Sequence, residues 1–273
     1  MTSMGSLRVA VAGLGAVGLP VAKALLADSI SGMGLAAVSA SSAASAAAKL
    51  TSDDVRCLPV AELAKHADIV VEGLPPTEFL KVAEPTLAAG KTLIALSVTQ
   101  VLAHQERLYD LAAKRGGRII VPTGALAGLD AVRAAAEGGN VRNVVMQTRK
   151  PPRSLQRAPF VLEQGLDLSS LDAPRLLYAG SVADAAQKFP ANVNVAVALA
   201  LAGVGPEATQ YELWADPAVE RNTHLFSVTS NESNFEVRIA GVPCETNPAT
   251  GALTPLSAIA TLRGLVATLR VGT

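Results

Sequence analysis

Gly13-Leu-Gly15-Ala16-Val17-Gly18 follows the aliphatic run Leu7-Arg-Val-Ala-Val-Ala12 and opens a stretch with helical spacing, and in that context three glycines do anion chemistry. Gly13 permits a tight turn, Gly15 lets the backbone approach a pyrophosphate, and Gly18 allows the helix to pack on the strand. The helix start, with Ala16 and Val17 in it, offers backbone N–H groups and a partial positive charge to the anion. The ligand this spacing serves is a dinucleotide, NAD or NADP. The second aliphatic run ends at Val38-Ser39-Ala40-Ser41-Ser42. Hydroxyls stand there in place of the carboxylate that would take the ribose 2′-OH, so Ser39 is expected beside the ribose and neither coenzyme is repelled. Asp28, at the end of the preceding helix, is not given that task.

In an open α/β sheet the ligand crevice lies beyond the carboxyl ends of the strands. Gly73 and Leu74, in the turn Glu72-Gly-Leu-Pro-Pro76, and Ser97-Val98 occupy such ends and are expected to border the nicotinamide. For proton transfer near neutrality the sequence offers His66, His104 and His224. The first two fall on helices of the nucleotide-binding half and read as solvated, whereas His224 starts a strand beside a polar cluster. Cys57 and Cys244 are far apart, match no metal spacing and read as structural reduced thiols. No metal site is expected.

These residues need a scaffold. Runs at Leu7–Ala12, Leu35–Val38, Ile69–Val71, Thr92–Leu96 and Arg118–Val121 alternate with helical stretches, including about Pro76–Ala89 and Ala103–Arg115. That rhythm predicts a doubly wound parallel sheet, a Rossmann domain over residues 1–122, because parallel strands require crossovers. Beyond Pro122 the alternating segments Val144–Thr148, Thr209–Trp214, Leu225–Thr229 and Phe235–Ile239 predict a mixed or antiparallel sheet with one covered face. Val193–Leu201, apolar nearly all round, predicts a buried helix. Residues 123–252 are thus expected to be a catalytic and dimerisation domain of α+β type. After the turn-rich Thr246–Gly251, the last helix, about Leu256–Leu269 within 253–273, is expected to pack back on the first domain. The 23 basic and 23 acidic residues balance, which argues against nucleic acid or an anionic membrane as partner. Neither a signal peptide nor an apolar stretch of membrane-spanning length is read, so a cytoplasmic protein acting on a small molecule is expected.

The second half carries a resemblance. Pro122-Thr-Gly-Ala-Leu-Ala-Gly-Leu-Asp130, Thr148-Arg-Lys-Pro-Pro152, Lys188-Phe-Pro-Ala-Asn-Val-Asn194, Asp216-Pro217 and Asn222-Thr-His224, in this order after the glycine fingerprint and Ser97-Val98, resemble the successive signatures of the L-aspartate dehydrogenase family. The resemblance implies a Rossmann domain joined to a mixed catalytic domain similar to that of dihydrodipicolinate reductases, usually in a homodimer. It implies reversible oxidative deamination of L-aspartate to iminosuccinate, which hydrolyses to oxaloacetate and ammonia and can feed NAD biosynthesis. It implies that His224 is catalytic and that Ala125 and one of Asn192 and Asn194 contact the coenzyme. The departure from the family pattern is the missing acidic residue after the second strand.

The chemistry of such a reaction is compatible with the residues themselves. Deamination needs a group that takes a proton from nitrogen and helps water add to an imine, which suits a histidine. A dicarboxylate needs cations, and Arg149, Lys150 and Lys188 are the candidates, with Thr223 beside His224. Two rivals share the scaffold: an imine reductase of the dihydrodipicolinate type, whose paired histidines and lysine motif are not found here, and a non-catalytic NAD(P)H sensor indifferent to His224.

Overall fold

The structure, a computed structural model, describes residues 6–245, 247 and 250–272. Its contacts divide the chain into two compact units: residues up to Gly124 with Thr254–Arg270, and Ala125–Leu253.

In the first unit, strands β1 (Leu7–Ala12), β2 (Met33–Ser39), β3 (Ile69–Glu72), β4 (Thr92–Ile94) and β5 (Arg118–Ile120) form one sheet in the order β2-β1-β3-β4-β5. Every pairing is parallel. Helices α1 (Gly18–Leu26), α2 (Ala43–Leu50), α3 (Leu63–His66), α4 (Phe79–Ala88), α5 (Val98–Ala103) and α6 (Gln105–Arg115) make the connections. Side chains alternate across β1, so its buried residues divide between two apolar layers. Val9 and Val11 pack with Val21, Leu25 and Met33 on one face; Ala10 and Ala12 pack with Phe79, Val82 and Leu108 on the other. The C-terminal helix of this unit contributes Ala258 and Leu262 to the first layer. At the opposite end of the strands, Asp68 gathers Arg8 (Nη2 to Oδ1, 2.9 Å) and Lys91 (Nζ to Oδ1, 3.2 Å) and so ties β1, β3 and β4 at their starts.

The second unit contains α7 (Leu129–Glu137), β6 (Val141–Lys150), α8 (Pro159–Glu163), β7 (Arg175–Ser181), α9 (Val182–Lys188), α10 (Asn194–Ala202), β8 (Gln210–Ala215), β9 (Thr223–Ser230) and β10 (Asn234–Ala240). Its sheet runs β10-β9-β6-β8-β7, with β6 and β8 parallel and the other neighbours antiparallel. One face is buried by period-two alternation, through Val144, Met146, Tyr211, Leu213, Phe226 and Val228. Helix α10 is buried along Ala196–Ala200, as its unbroken apolar sequence requires, and packs against α7 and α9.

Several expected bounds move. The strand expected over Thr92–Leu96 is ladder-bonded only to Ile94, although Ala95 N–H still donates to the Ile120 carbonyl (2.9 Å). The helix expected over about Ala103–Arg115 is α6, Gln105–Arg115, and a further helix, α5, precedes it and meets it at His104. The final helix, α11, spans Leu253–Val266 rather than Leu256–Leu269. In the expected turn 246–251, Thr246, Pro248 and Ala249 lie outside the described residues.

Candidate active site

The glycine fingerprint turns directly from β1 into α1. Gly13 takes φ +90°, and a Cβ there would lie 2.7 Å from the Gly73 carbonyl oxygen; a Cβ on Gly18 would lie 1.9 Å from the Gly13 oxygen. These two glycines are explained by the fold itself. Gly15 is not: it is exposed, and a Cβ there would meet nothing within 4 Å. Open space in front of a glycine at the start of a helix is where a pyrophosphate needs close approach to backbone N–H groups, so these residues fit a dinucleotide. Ala16 and Val17 are half-buried beside it. Ser39 ends β2, buried, and its carbonyl accepts from Gly13 N–H at 2.9 Å, which fixes the end of the second strand against the fingerprint. Ser41 lies exposed just beyond, and Ser42 caps α2 by accepting from Ser45 N–H at 3.1 Å.

Gly73-Leu74 and Ser97-Val98 are brought together by a residue the sequence reading left without a role. The Glu72 carboxylate accepts from Leu74 N–H (3.2 Å) and Ser97 Oγ (3.0 Å) at one oxygen, and from Leu96 N–H (3.1 Å) and Ser97 N–H (2.9 Å) at the other. Glu72 is fully buried. Burial pushes its pKa up while the hydrogen bonds from Ser97, Leu96 and Leu74 oppose that rise. The signal in the sequence is a lone carboxylate closing the aliphatic strand Ile69-Val-Val-Glu72.

In the second unit the β6–β9 register sets Thr148 opposite His224. Thr148 Oγ1 lies 3.0 Å from His224 Nδ1, a hydrogen bond whose donor depends on the imidazole tautomer. Lys150, two residues further along β6, shares that buried face, and its ammonium donates to Asn192 Oδ1 (2.9 Å) and to the Asn192 carbonyl (3.4 Å). His224 and Lys150 are 4% and 7% exposed. Burial, and then the positive charge of Lys150, lowers the His224 pKa from 6.5 to about 4. Burial alone brings Lys150 down to about 8. At neutral pH the imidazole is therefore an uncharged proton acceptor beside an ammonium. Histidine's ordinary pKa, which suits it to proton transfer near neutrality, is displaced by these surroundings.

The other cations are placed differently. Strand alternation sends Arg149 to the opposite face, with its register partner Thr223. There Arg149 pairs with the buried carboxylate of Asp216 (2.9 Å), bonds Gln147 and lies over the Trp214 ring. Among the described residues Thr223 Oγ1 donates to the Arg221 carbonyl, at 3.5 Å. Lys188 pairs with Asp184 (2.6 Å) over the Tyr178 ring. Among the described residues none forms an ion pair with Lys150. A buried ammonium whose contacts are neutral oxygens is a place for a carboxylate. Asn192 touches Lys150, Asn194 opens α10, and Ala125 is half-buried after Gly124. His66 faces Arg56 (Nδ1 to Nη1, 3.1 Å), and His104 joins α5 to α6. Among the described residues no cluster of metal-ligating side chains converges, and no helix is long and apolar enough to cross a membrane.

Comparisons with known proteins address both halves. Residues 130–265 match the family model "Aspartate dehydrogenase, C-terminal", and residues 13–122 match "Homoserine dehydrogenase, NAD binding domain". The chain is 48% identical to L-aspartate dehydrogenase 3 of Bordetella bronchiseptica, with all of both chains covered. It is 46% identical to the L-aspartate dehydrogenase of Bradyrhizobium diazoefficiens, covering 100% of this chain and 96% of that one. Its fold is similar to the crystal structure of aspartate dehydrogenase from Thermotoga maritima, with a TM-score of 0.71 at 26% identity, covering 97% and 99% of the two chains.

Proposed function

The chain belongs to the L-aspartate dehydrogenase family, and from that premise we propose that His224 is its proton acceptor and Lys150 its carboxylate anchor in the reversible NAD(P)-dependent oxidative deamination of L-aspartate. The observation that carries this reading is the buried face shared by Thr148, His224 and Lys150, where a neutral imidazole and an ammonium with no counter-charge among the described residues lie side by side.

The residues fit the steps as follows. Lys150 receives a carboxylate of the substrate, and Asn192 holds the ammonium in place for it. In the tautomer whose Nδ1–H donates to Thr148 Oγ1, His224 keeps a free lone pair on Nε2 and takes a proton from the aspartate ammonium, leaving the free amine. A nicotinamide coenzyme held by the first unit would supply the hydride acceptor for Cα, so that the amine is oxidised to iminosuccinate. After releasing that proton to solvent, His224 takes a proton from the water that adds to the imine carbon and returns it to nitrogen, and loss of ammonia leaves oxaloacetate. An incoming carboxylate beside Lys150 offsets the charge that depresses His224, so the histidine becomes a stronger base when substrate is present.

The coenzyme is assigned to Gly13, Gly15, Ala16, Val17, Gly18, Ser39, Gly73, Leu74, Ser97 and Val98, with Ala125 and one of Asn192 and Asn194 as further contacts. The first unit is accordingly the dinucleotide-binding domain and the second the catalytic one. A homodimer fits the half-exposed sheet face that carries Val145, Leu225 and Trp214, and a reducing cytoplasm fits the two free thiols Cys57 and Cys244. Iminosuccinate formed by oxidation of aspartate would, before it hydrolyses, be available to NAD biosynthesis. In the test, His224→Ala lowers kcat by roughly 10²–10⁴, the usual worth of a positioned acid or base, while NADH affinity stays near that of the parent. Undiminished turnover would remove His224 from the mechanism.

A further inference from the structure

The coenzyme site contains a buried charge that neither the glycine fingerprint nor the family signatures explain. Glu72 ends β3, between β1 and β4, where the rest of the strand is Ile69, Val70 and Val71. An aliphatic side chain would suit the position better on burial alone. Its oxygens instead each accept two hydrogen bonds, three of the four donors being backbone N–H groups of the segments after β3 and β4. With both oxygens fully engaged as acceptors, the arrangement suits an ionised carboxylate, which accepts only.

We propose that Glu72 is a positioning residue that locks the Leu74 and Ser97 segments together and sets a fixed negative charge at the nicotinamide end of the coenzyme site. That charge favours the cationic oxidised ring over the neutral reduced one. The inference rests on the reading that the segments after β3 and β4 border the nicotinamide. In a site of low effective dielectric a fixed charge acts strongly on another charge and hardly at all on a neutral ring, so the two coenzyme forms report it separately. A residue that only holds the loops would affect both forms alike.

The test measures dissociation constants of NAD⁺ and NADH, by calorimetry and by NADH fluorescence, for the parent, Glu72→Gln, Glu72→Asp and Gly15→Ala. Glu72→Gln keeps the shape and removes the charge; it is expected to weaken NAD⁺ relative to NADH by about tenfold, whereas Glu72→Asp keeps the parent ratio within about threefold. A tenfold change in that ratio is ~30 mV in the potential of the bound two-electron couple. An unchanged ratio in Glu72→Gln, or equal weakening of both forms, overturns the proposal. Should Glu72→Gln not fold, Ser97→Ala keeps the carboxylate and removes one donor that disperses its charge. It is then expected to shift the ratio toward NAD⁺, and no shift or a shift toward NADH overturns the proposal. Gly15→Ala checks the underlying reading separately: parent-like binding of both forms by that variant would place the coenzyme elsewhere, whatever Glu72 does.

Discussion

At His224, burial and the neighbouring ammonium act in the same direction, and both keep the imidazole uncharged. The folded pKa of about 4 lies below the ordinary 6.5, so the unfolded chain binds the extra proton first as pH falls. The stability this group contributes is complete above pH 6.5 and is lost as pH drops toward 4. Activity that needs the neutral imidazole fails over the acid end of the same window. Lys150→Met removes the charge that depresses His224, so the acid limb of kcat/KM is expected to move to higher pH, and an unmoved limb would uncouple the two residues. The same substitution removes a charge-assisted hydrogen bond to substrate, worth ~1.5–3 kcal/mol, and should raise KM for aspartate by about 10- to 200-fold with NADH affinity intact. Steady-state kinetics and NADH titration separate these effects. Ser39→Asp is expected to weaken NADPH by about tenfold relative to NADH, through repulsion of the 2′-phosphate; an unchanged preference would move the ribose site away from the end of β2. Residue types were legible in the sequence: chemistry offers three histidines and three cations, and the resemblance singles out His224 among the former. Which cation is free of an anion was not, because Arg149 and Lys150 are adjacent in sequence and only strand alternation sends them to opposite faces. In the sequence Thr148 stands only as the first residue of a signature, and its hydrogen bond to His224 emerges only from the β6–β9 register.

Among the elements, the turn from β1 to α1 separates folding from binding. Gly18→Ala forces a Cβ against the Gly13 carbonyl oxygen and should cost at least ~2 kcal/mol in denaturant unfolding, within the range for overpacked sites. Gly15→Ala meets open space and should leave the unfolding midpoint unchanged while lowering coenzyme affinity. Equal destabilisation by the two would mean that Gly15 serves the turn rather than the ligand. At the other end of the sheet, the Arg8 guanidinium, with help from Lys91, holds the Asp68 carboxyl well below the usual carboxylate range. A depressed carboxyl stabilises the fold above its unfolded pKa, near 4, and loses that contribution as pH falls below it. Asp68→Asn should therefore cost ~1 kcal/mol in urea at pH 7, as expected for partly exposed pairs, and progressively less below pH 4. The parallel strands were legible because each is a short aliphatic run buried on both faces. Less legible was β7, an edge strand with Arg175 at its start, an irregular register between Leu176 and Tyr178, and mostly exposed or half-buried residues, so it lacks both a continuous apolar run and clean alternation. The end of β6 was read short because Arg149 and Lys150 look like loop residues until their pairing with Trp214 and Ala215 is known.

For the whole molecule, the two halves of the sequence carry different kinds of information. The first is readable from physics, since a glycine fingerprint between an aliphatic strand and a helix serves one class of ligand. The second is readable chiefly through its signatures, because a mixed sheet hosts many chemistries and its pattern does not name one. The balanced 23 and 23 charges suit a small partner, and on the proposed reading a dicarboxylate would be met by the buried Lys150 ammonium rather than by a basic surface. Sedimentation equilibrium should return twice the chain mass, and a monomer active at the same specific rate would refute the homodimer. The central claim is tested most directly by absorbance at 340 nm with the purified chain, oxaloacetate, ammonium and NADH or NADPH, and in reverse with L-aspartate, L-glutamate and L-alanine. Coenzyme oxidation that requires both oxaloacetate and ammonium, with L-aspartate preferred in reverse, is the expected result; bound NADH with no turnover of any of these substrates would contradict it and favour a non-catalytic sensor.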